Sequence, residues 1–162
     1  MKFALLDRII ELEPGTRIRA VKSVTASEEY LQDHFPTFPV LPGVLMLEAL
    51  TEAARWLVHV SQDFRHSVIL LADARNVTYK SFVTPGDTLE VDVVCRELAE
   101  DHSTFAGSGA SHGVEVVKAR FGLRHFSLAR RGPQWAAVDR ELITDARRRL
   151  RALFAGPAGS AV

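Results

Sequence analysis

The sequence predicts an α+β fold, in which a largely antiparallel curved sheet packs against one long helix, with an added C-terminal helix. Three observations predict it. Two strand-like runs precede a single long apolar helical run, about four strand-like runs follow it, and short turn-forming segments connect them. Connections this short leave no room for repeated crossover helices, so we expect the strands to pair antiparallel.

The first two strands are predicted in LLDRIIELEPGTRIRAVKSVT, residues 5–25, where EPGT supplies the proline and glycine of a turn. The polar stretch ASEEYLQDHF, residues 26–35, suits one short helical turn. It leads into HFPTFPVLPGVLMLE, residues 34–48, which has a histidine at its start and a glutamate at its end. The prolines of this segment predict a rigid loop.

A long helix is predicted in GVLMLEALTEAARWLVHVSQ, residues 43–62, because good helix formers follow without a further proline. Most positions are apolar, which is typical of a buried helix. The polar positions recur at steps of three and four and therefore share one narrow stripe. They are Glu48, Thr51, Glu52, Arg55 and His59.

The remaining strands are predicted in SVILLADARNVTYK, TLEVDVVCREL, STFAGSGAS and VEVVKARFGLRHF, joined by TPGD, AEDH and HG. A single central helix wrapped by a curved antiparallel sheet is the hotdog arrangement. We assign residues 1–130 to this hotdog domain.

Residues 131–162 are predicted to form a C-terminal helical extension with a flexible tail. Gly132 and Pro133 interrupt the chain, Asp139 is expected to cap the following helix, and Glu141 is expected in its first turn. The tail is AGPAGSAV. One face of the helix is apolar and comprises Leu142, Ile143, Ala146, Leu150 and Leu153.

The composition narrows the classes of function. Twenty basic and twenty acidic residues give a formal net charge of zero, which argues against nucleic acid as a partner. The single cysteine, Cys95, excludes an intrachain disulfide and suits a reducing compartment. We see neither a signal peptide nor an apolar run long enough to span a bilayer, and expect a cytoplasmic protein without membrane insertion.

The segment from His34 to Glu48 carries groups suited to proton chemistry. A neutral histidine accepts a proton near pH 7, and a carboxylic acid in an apolar helix core can remain protonated and donate one. A backbone N–H at the helix N-terminus, near Gly43, can stabilise an oxyanion. Together these groups suit elimination of water from a 3-hydroxyacyl thioester. Spacing alone leaves open that Glu48 pairs with Arg55 and that His34 caps or packs.

The longer stretch HFPTFPVLPGVLMLEAL resembles the active-site motif HFPGxPxxPGVxxxEA of 3-hydroxyacyl-[acyl carrier protein] dehydratases of the FabZ type, in the FabA/FabZ hotdog family. SFVTPGDTLEVDV and FAGSGASHGVEVVKARF resemble later strands of the same family, as LLDRIIELEPGTRIRAVKSVT resembles its opening strands. These matches are collinear and cover roughly residues 4 to 127.

The resemblance implies that His34 and Glu48 are catalytic and that the Gly43 N–H binds the thioester oxygen. It implies a substrate carried on the phosphopantetheine of acyl carrier protein, a trans-2-enoyl product, and no metal or other cofactor. It also implies a homodimer, or a trimer of dimers, in which histidine and glutamate meet across the subunit interface.

The chain departs from the family motif beside both proposed catalytic groups. Asp33 and Thr37 replace glycines near the histidine. Glu52 replaces a glutamine one turn beyond Glu48, and a second acid there would favour the protonated form of Glu48 unless Arg55 neutralises it. These changes point to a specialised acyl substrate as an alternative to a housekeeping role.

Two other functions are compatible with the sequence. An acyl thioesterase on the same fold would use the glutamate to activate water, and a non-catalytic subunit would bind acyl carrier protein without turnover. The basic side chains of the C-terminal helix would dock an acidic carrier or form a solvated face, and we favour the solvated face. They are Arg147, Arg148, Arg149 and Arg151; Arg120 and Arg124 are weaker candidates for binding the carrier's phosphate.

Overall fold

The structure is a computed structural model that describes residues 4–154. Its sheet has six antiparallel strands in the order β1-β2-β4-β5-β6-β3. The helices are α1 (Gly43–Ser61) and α2 (Ala136–Phe154). The strands are β1 (Arg8–Glu13), β2 (Arg17–Ser23), β3 (Val68–Tyr79), β4 (Thr88–Leu98), β5 (His102–Ser111) and β6 (Val114–Phe126).

The core lies between α1 and the sheet. Leu50, Ala53 and Leu57 of α1 are at most 1% exposed. Across from them, alternate residues of the central strands point inwards, as the buried-exposed pattern of β5 shows. Gly107 of β5 allows a close approach, because a Cβ there would lie 3.1 Å from Phe121 and 3.4 Å from Leu50. The hotdog arrangement predicted from the sequence is therefore confirmed.

The two edges of the sheet differ. β1 is short and carries an irregularity between Ile9 and Glu11, which is typical of an edge protected against pairing. β3 is long and pairs with β6 on one side, and no strand within residues 4–154 pairs with its other side. Leu70 and Leu71 of β3 are 51% and 38% exposed. The edge also exposes Asp73 and Arg75 and carries irregularities between Leu71 and Asp73 and between Arg75 and Thr78, so its polarity is mixed. Its unpaired backbone groups are available to another strand.

The C-terminal helix packs against the core that α1 forms with the sheet. Ala146, Leu150 and Leu153 supply its inner face, as the sequence pattern predicted, but Leu142, which was expected on the same face, is 39% exposed. Two short 3-10 turns, Leu128–Arg131 and Pro133–Trp135, connect it to β6. The proposed tail, residues 155–162, lies outside the described residues. No helix within residues 4–154 is long and apolar enough to cross a bilayer.

Two expectations about α2 were wrong. Helix α2 begins at Ala136, so Asp139 lies in the first turn and not at the cap, and Glu141 lies beyond that turn. Asp139 instead accepts hydrogen bonds from the hydroxyls of Ser67 and Ser127 at 2.6 and 2.7 Å. It thereby joins α2 to the start of β3 and the end of β6.

Candidate active site

His34 lies on the loop that precedes α1. The loop is attached to the sheet where Leu41 N–H donates to the Val83 carbonyl at 2.8 Å, and Phe35 adopts a φ of 52°. The half-buried His34 ring contacts the Phe35 ring, with centroids 4.4 Å apart. Among the described residues His34 has no hydrogen-bond or ion-pair partner. Both imidazole nitrogens can therefore engage a ligand.

Gly43 is the first residue of α1. The Pro42 carbonyl accepts the N–H groups of Leu45 and Met46 at 2.9 and 3.1 Å, which starts the helix. Within residues 4–154 the Gly43 N–H has no acceptor, as expected for the first turn. A Cβ at this position would lie 3.1 Å from two carbons of the Tyr79 ring. Tyr79 packing therefore gives glycine a structural role here, and the unpaired N–H can serve an oxyanion.

Glu48 lies on the polar stripe of α1 and is paired with Arg55. The Arg55 guanidinium donates to the two carboxylate oxygens at 2.6 and 3.5 Å. The Glu48 and Arg55 side chains are only 24% and 27% exposed, so solvent screens this pair less than a surface pair. The alternative raised from spacing alone, that Glu48 pairs with Arg55, is therefore realised in the structure.

Within the chain, His34 and Glu48 do not contact one another. The structure gives no hydrogen bond or ion pair between them in its described residues. The two ends of the motif are separated by a rigid loop and the first turn of α1. One chain therefore does not bring the His34 ring and the Glu48 carboxylate together. A site that uses both would need the subunit interface expected from the family resemblance.

Glu52 has a different role from its neighbour on the stripe. One carboxylate oxygen accepts the N–H groups of Leu5 and Leu6 at 2.7 and 3.1 Å, and the residue is 4% exposed. Burial raises the pKa of Glu52, although these two N–H groups oppose the shift. Glu52 therefore anchors the N-terminal segment against α1, while Arg55 occupies the side of the stripe that faces Glu48.

Exposed aromatic side chains lie on the loop before α1 and at Phe82, and the family motif does not reveal their exposure. Phe35, Phe38 and Phe82 are 57%, 53% and 61% exposed, and Phe38 meets Phe82 edge-on with centroids 5.7 Å apart. Val44 of the first helical turn is 69% exposed. The sequence feature that could have predicted this cluster is the presence of two phenylalanines in a proline-rich loop. Such a cluster is typical of a surface that another molecule covers.

The other histidines divide between core and surface. His66 is 3% exposed, and among residues 4–154 its two ring nitrogens have no hydrogen-bond partner, nor has Nδ1 of the largely buried His59. His102 and His112 are exposed and contact Asp101 and Asp87. Within residues 4–154, no group of three His, Cys, Asp or Glu side chains is placed to hold a metal ion.

The arginines of α2 are largely engaged within the chain. Arg147 lies over the Phe64 ring at 4.4 Å from its centroid and contacts Asp63. Arg149 lies over the Trp56 ring at 5.6 Å. These contacts fit the predicted solvated face better than a free docking patch.

Sequence comparisons identify relatives of this chain. The model of the FabA-like domain matches residues 1–119. The chain is 45% identical over 120 residues to 3-hydroxyacyl-[acyl-carrier-protein] dehydratase FabZ of Aromatoleum aromaticum, covering 72% of this chain and 83% of that protein. It is 41% identical over 115 residues to the FabZ protein of Bacillus subtilis, covering 71% and 77%.

Solved structures share the fold at low sequence identity. The dehydratase heterocomplex ApeI:P from Xenorhabdus doucetiae superposes with a TM-score of 0.68 at 18% identity, covering 78% of this chain and 86% of that chain. A hypothetical thioesterase protein from Streptococcus pneumoniae, with coenzyme A, has a TM-score of 0.55 at 14% identity, covering 73% and 86%. These likenesses concern the fold alone. The match of the domain model and the identity to curated relatives show that this chain belongs to the FabA-like family, among the FabZ-type 3-hydroxyacyl-[acyl-carrier-protein] dehydratases.

Proposed function

We propose that this chain removes water from 3-hydroxyacyl thioesters carried on acyl carrier protein and releases trans-2-enoyl thioesters for fatty-acid or related acyl-chain synthesis. The observation that carries the proposal is the family motif from His34 to Glu48, within a chain 45% identical to a FabZ dehydratase. The reaction requires no metal or redox cofactor, because the thioester already acidifies C2. We place the reaction in the cytoplasm.

His34 acts as the base of this mechanism. Its ring has no competing hydrogen bond in the described part of the chain, and a neutral imidazole accepts the C2 proton near pH 7. The electrons of the C2–H bond form the C2–C3 double bond as the C3–O bond breaks. The Gly43 N–H donates to the thioester oxygen while negative charge develops there, with the dipole of α1 behind it.

Glu48 donates the proton with which the C3 hydroxyl leaves as water. Donation leaves a carboxylate, and this is the form to which Arg55 makes its two charge-assisted hydrogen bonds. Arg55 therefore stabilises the product of the proton transfer and limits the rotation of the Glu48 side chain. The acid role requires Glu48 to hold a proton when substrate is bound, and the ion pair with Arg55 forms again once that proton has passed to the leaving hydroxyl.

A second copy of the chain completes the site. Within residues 4–154 one edge of β3 is unpaired, and the aromatic side chains of Phe35, Phe38 and Phe82 are exposed; both are surfaces that favour burial. Pairing of two copies along β3 would place His34 of one copy beside Glu48 of the other. A homodimer, or a trimer of dimers, is the proposed state, with acyl carrier protein as the partner that delivers substrate.

The test is mass spectrometry of 3-hydroxyacyl carrier substrates of several chain lengths incubated with the purified protein. We expect a loss of one water, and the reverse hydration of the trans-2-enoyl thioester. The variants His34→Ala and Glu48→Gln should each lower kcat by about 10²- to 10⁴-fold, since each removes a proton-transfer group. His102→Ala and Glu141→Gln, at exposed positions, are the matched controls.

Other products would decide against this mechanism. Free acid in place of the enoyl thioester would indicate the thioesterase alternative. Binding of the acyl carrier without conversion at any chain length would indicate the non-catalytic subunit. Full activity of either variant would remove its residue from the proposed mechanism.

A further inference from the structure

A polar cavity lies beside the stripe of α1 that carries Glu48. It has a volume of about 190 Å³, is open to solvent on one side, and is lined by residues of α1, the start of β3 and α2. Apolar walls are supplied by Ile69, Leu142, Ala146 and the ring of Trp56. Its polar lining comprises Glu52, Arg55, His59, Ser67, Asp145 and Arg149.

Three buried polar atoms of this lining have no hydrogen-bond partner among the described residues. They are Glu52 Oε1, Trp56 Nε1 and His59 Nδ1. Glu52 and Trp56 are each 4% exposed, and the other oxygen of Glu52 is already used by the N-terminal segment. The Trp56 N–H favours the ionised form of Glu52 from nearby but does not form a hydrogen bond with it. Buried donors and acceptors normally find partners, so this arrangement suits a ligand that bridges them.

The charges around the cavity are already balanced. Arg55 holds Glu48 at 2.6 Å, and Arg149 lies 4.0 Å from Glu52. Asp145 forms an ion pair on the exposed side of α2. Burial, together with nearby basic groups, lowers the pKa of His59 to about 4, so its ring is neutral near pH 7. A ligand with a net charge would leave that charge uncompensated, which favours a neutral polar group.

The cavity continues the proposed active site along α1. Arg55 both lines it and binds the Glu48 carboxylate. At the rise of an α-helix, Glu52 lies about 6 Å and His59 about 16 Å beyond Glu48 along the axis. An acyl chain whose C3 lies at Glu48 and that extends along α1 would reach this cavity with its far end.

We propose that this cavity binds a hydroxyl group carried on the acyl chain beyond C3. The hydroxyl oxygen accepts from Trp56 Nε1–H, and its proton is donated to Glu52 Oε1. The substrate class is then a 3-hydroxyacyl thioester with a second, remote hydroxyl. This inference rests on the proposed dehydratase function and specifies its substrate.

The experiment compares paired substrates of equal chain length, with and without a terminal hydroxyl, over a series of increasing length. The purified protein is expected to show a higher kcat/KM for the hydroxylated member at the length that reaches the cavity. Trp56→Phe keeps the ring and removes the donor, so the ratio of kcat/KM for the hydroxylated member to that for the unmodified member should fall about fivefold. Ala146→Leu fills the cavity and should remove the preference, whereas Ala152→Leu, at an exposed position of α2, should not.

The outcomes separate this inference from the proposed function. Equal kcat/KM for the two members at every length, with dehydration of both, would overturn the inference and leave the dehydratase intact. An equal fall for both members in Trp56→Phe would indicate a structural role for the indole N–H and would also overturn it. Absence of turnover on every substrate would instead overturn the proposed function, and this inference with it.

Discussion

At the scale of single residues, the polar stripe of α1 has distinct functions at successive turns. Glu48 is held by Arg55, Glu52 anchors the N-terminal segment, and His59 is enclosed near the end of the helix. These partners come from different parts of the chain. The predicted stripe is therefore real, but its members do not act as one group.

Arg55 is expected to act as a positioning residue for Glu48. Replacing it with leucine removes both hydrogen bonds to the carboxylate, so we expect kcat to fall about tenfold or more with KM nearly unchanged. Arg55→Lys retains the positive charge and should recover part of the loss. Steady-state kinetics on one 3-hydroxyacyl carrier substrate measures both effects, with Arg140→Leu on exposed α2 as the control. An unchanged kcat in Arg55→Leu would show that the ion pair has no part in the reaction.

His59 is expected to make stability depend on pH. Burial is the main cause of its lowered pKa of about 4, and His125, His66, Arg55 and Arg147 add to the shift. Because the unfolded chain binds this proton near pH 6.5, the free energy of unfolding should fall as pH drops from about 6.5 to 4. The size of this contribution is on the order of 3 kcal/mol.

The variant His59→Phe tests that contribution. Phenylalanine keeps a ring that can stack on Phe64, where the His59 and Phe64 centroids are 5.1 Å apart, but it takes up no proton. Urea unfolding at several pH values should therefore show a smaller loss of stability in this window than the unmodified chain shows. His125, whose pKa burial also lowers, retains its own part of the dependence. Identical pH profiles for the two proteins would contradict the prediction.

At the scale of elements, α2 is attached through a buried carboxylate as well as an apolar face. Asp139 is 6% exposed and accepts hydrogen bonds from Ser67, Ser127 and the Ala129 N–H. Burial alone would raise its pKa, but these donors outweigh burial and the pKa is lowered. The helix is therefore joined to the sheet by a specific polar contact that its amphipathic pattern does not reveal.

Asp139→Ala is expected to lower the free energy of unfolding by about 2 kcal/mol, because it leaves two half-buried hydroxyls and a backbone N–H without their acceptor. Chemical denaturation measures this loss, with Glu141→Gln on the exposed face as the control. The lowered pKa of Asp139 also makes stability depend on pH. The stabilisation by this carboxylate is present at pH values above its pKa in the unfolded chain, and it is lost as pH falls through its pKa in the folded chain. A stability of Asp139→Ala equal to that of the control would contradict the anchoring role.

At the scale of the whole molecule, the candidate site is open on one side. The free edge of β3 and the exposed aromatic cluster adjoin the residues proposed for catalysis, while His34 and Glu48 remain apart. The proposed catalysis by this pair would therefore depend on association of two copies. A variant that weakens the association of two copies should therefore also lower the dehydratase activity.

Leu71→Arg is expected to disrupt that association, because it places a charge at an exposed leucine on the edge of β3. Analytical ultracentrifugation should show a shift towards the monomer mass of 17.9 kDa, with dehydratase activity lost in parallel. Ile10→Arg, on the opposite edge of the sheet and 48% exposed, should change neither. An active monomer of Leu71→Arg would overturn the shared site.

The sequence by itself determined the local elements and the family. The turn at EPGT, the start of α1 after Pro42 and the strand pattern depend on neighbouring residues, and each was confirmed. The motif from His34 to Glu48 was sufficient to name the family, which the match over residues 1–119 confirms. The catalytic roles of His34, Glu48 and Gly43 remain predictions.

Only the tertiary structure decided which partners the polar groups have. Glu52 meets backbone groups 46 and 47 positions away, and Asp139 meets a serine 72 positions away. The cavity beneath α2 and the unpaired edge of β3 likewise depend on how distant segments pack. Periodicity and spacing report which side of an element a residue occupies, but they do not report what the rest of the chain brings against that side.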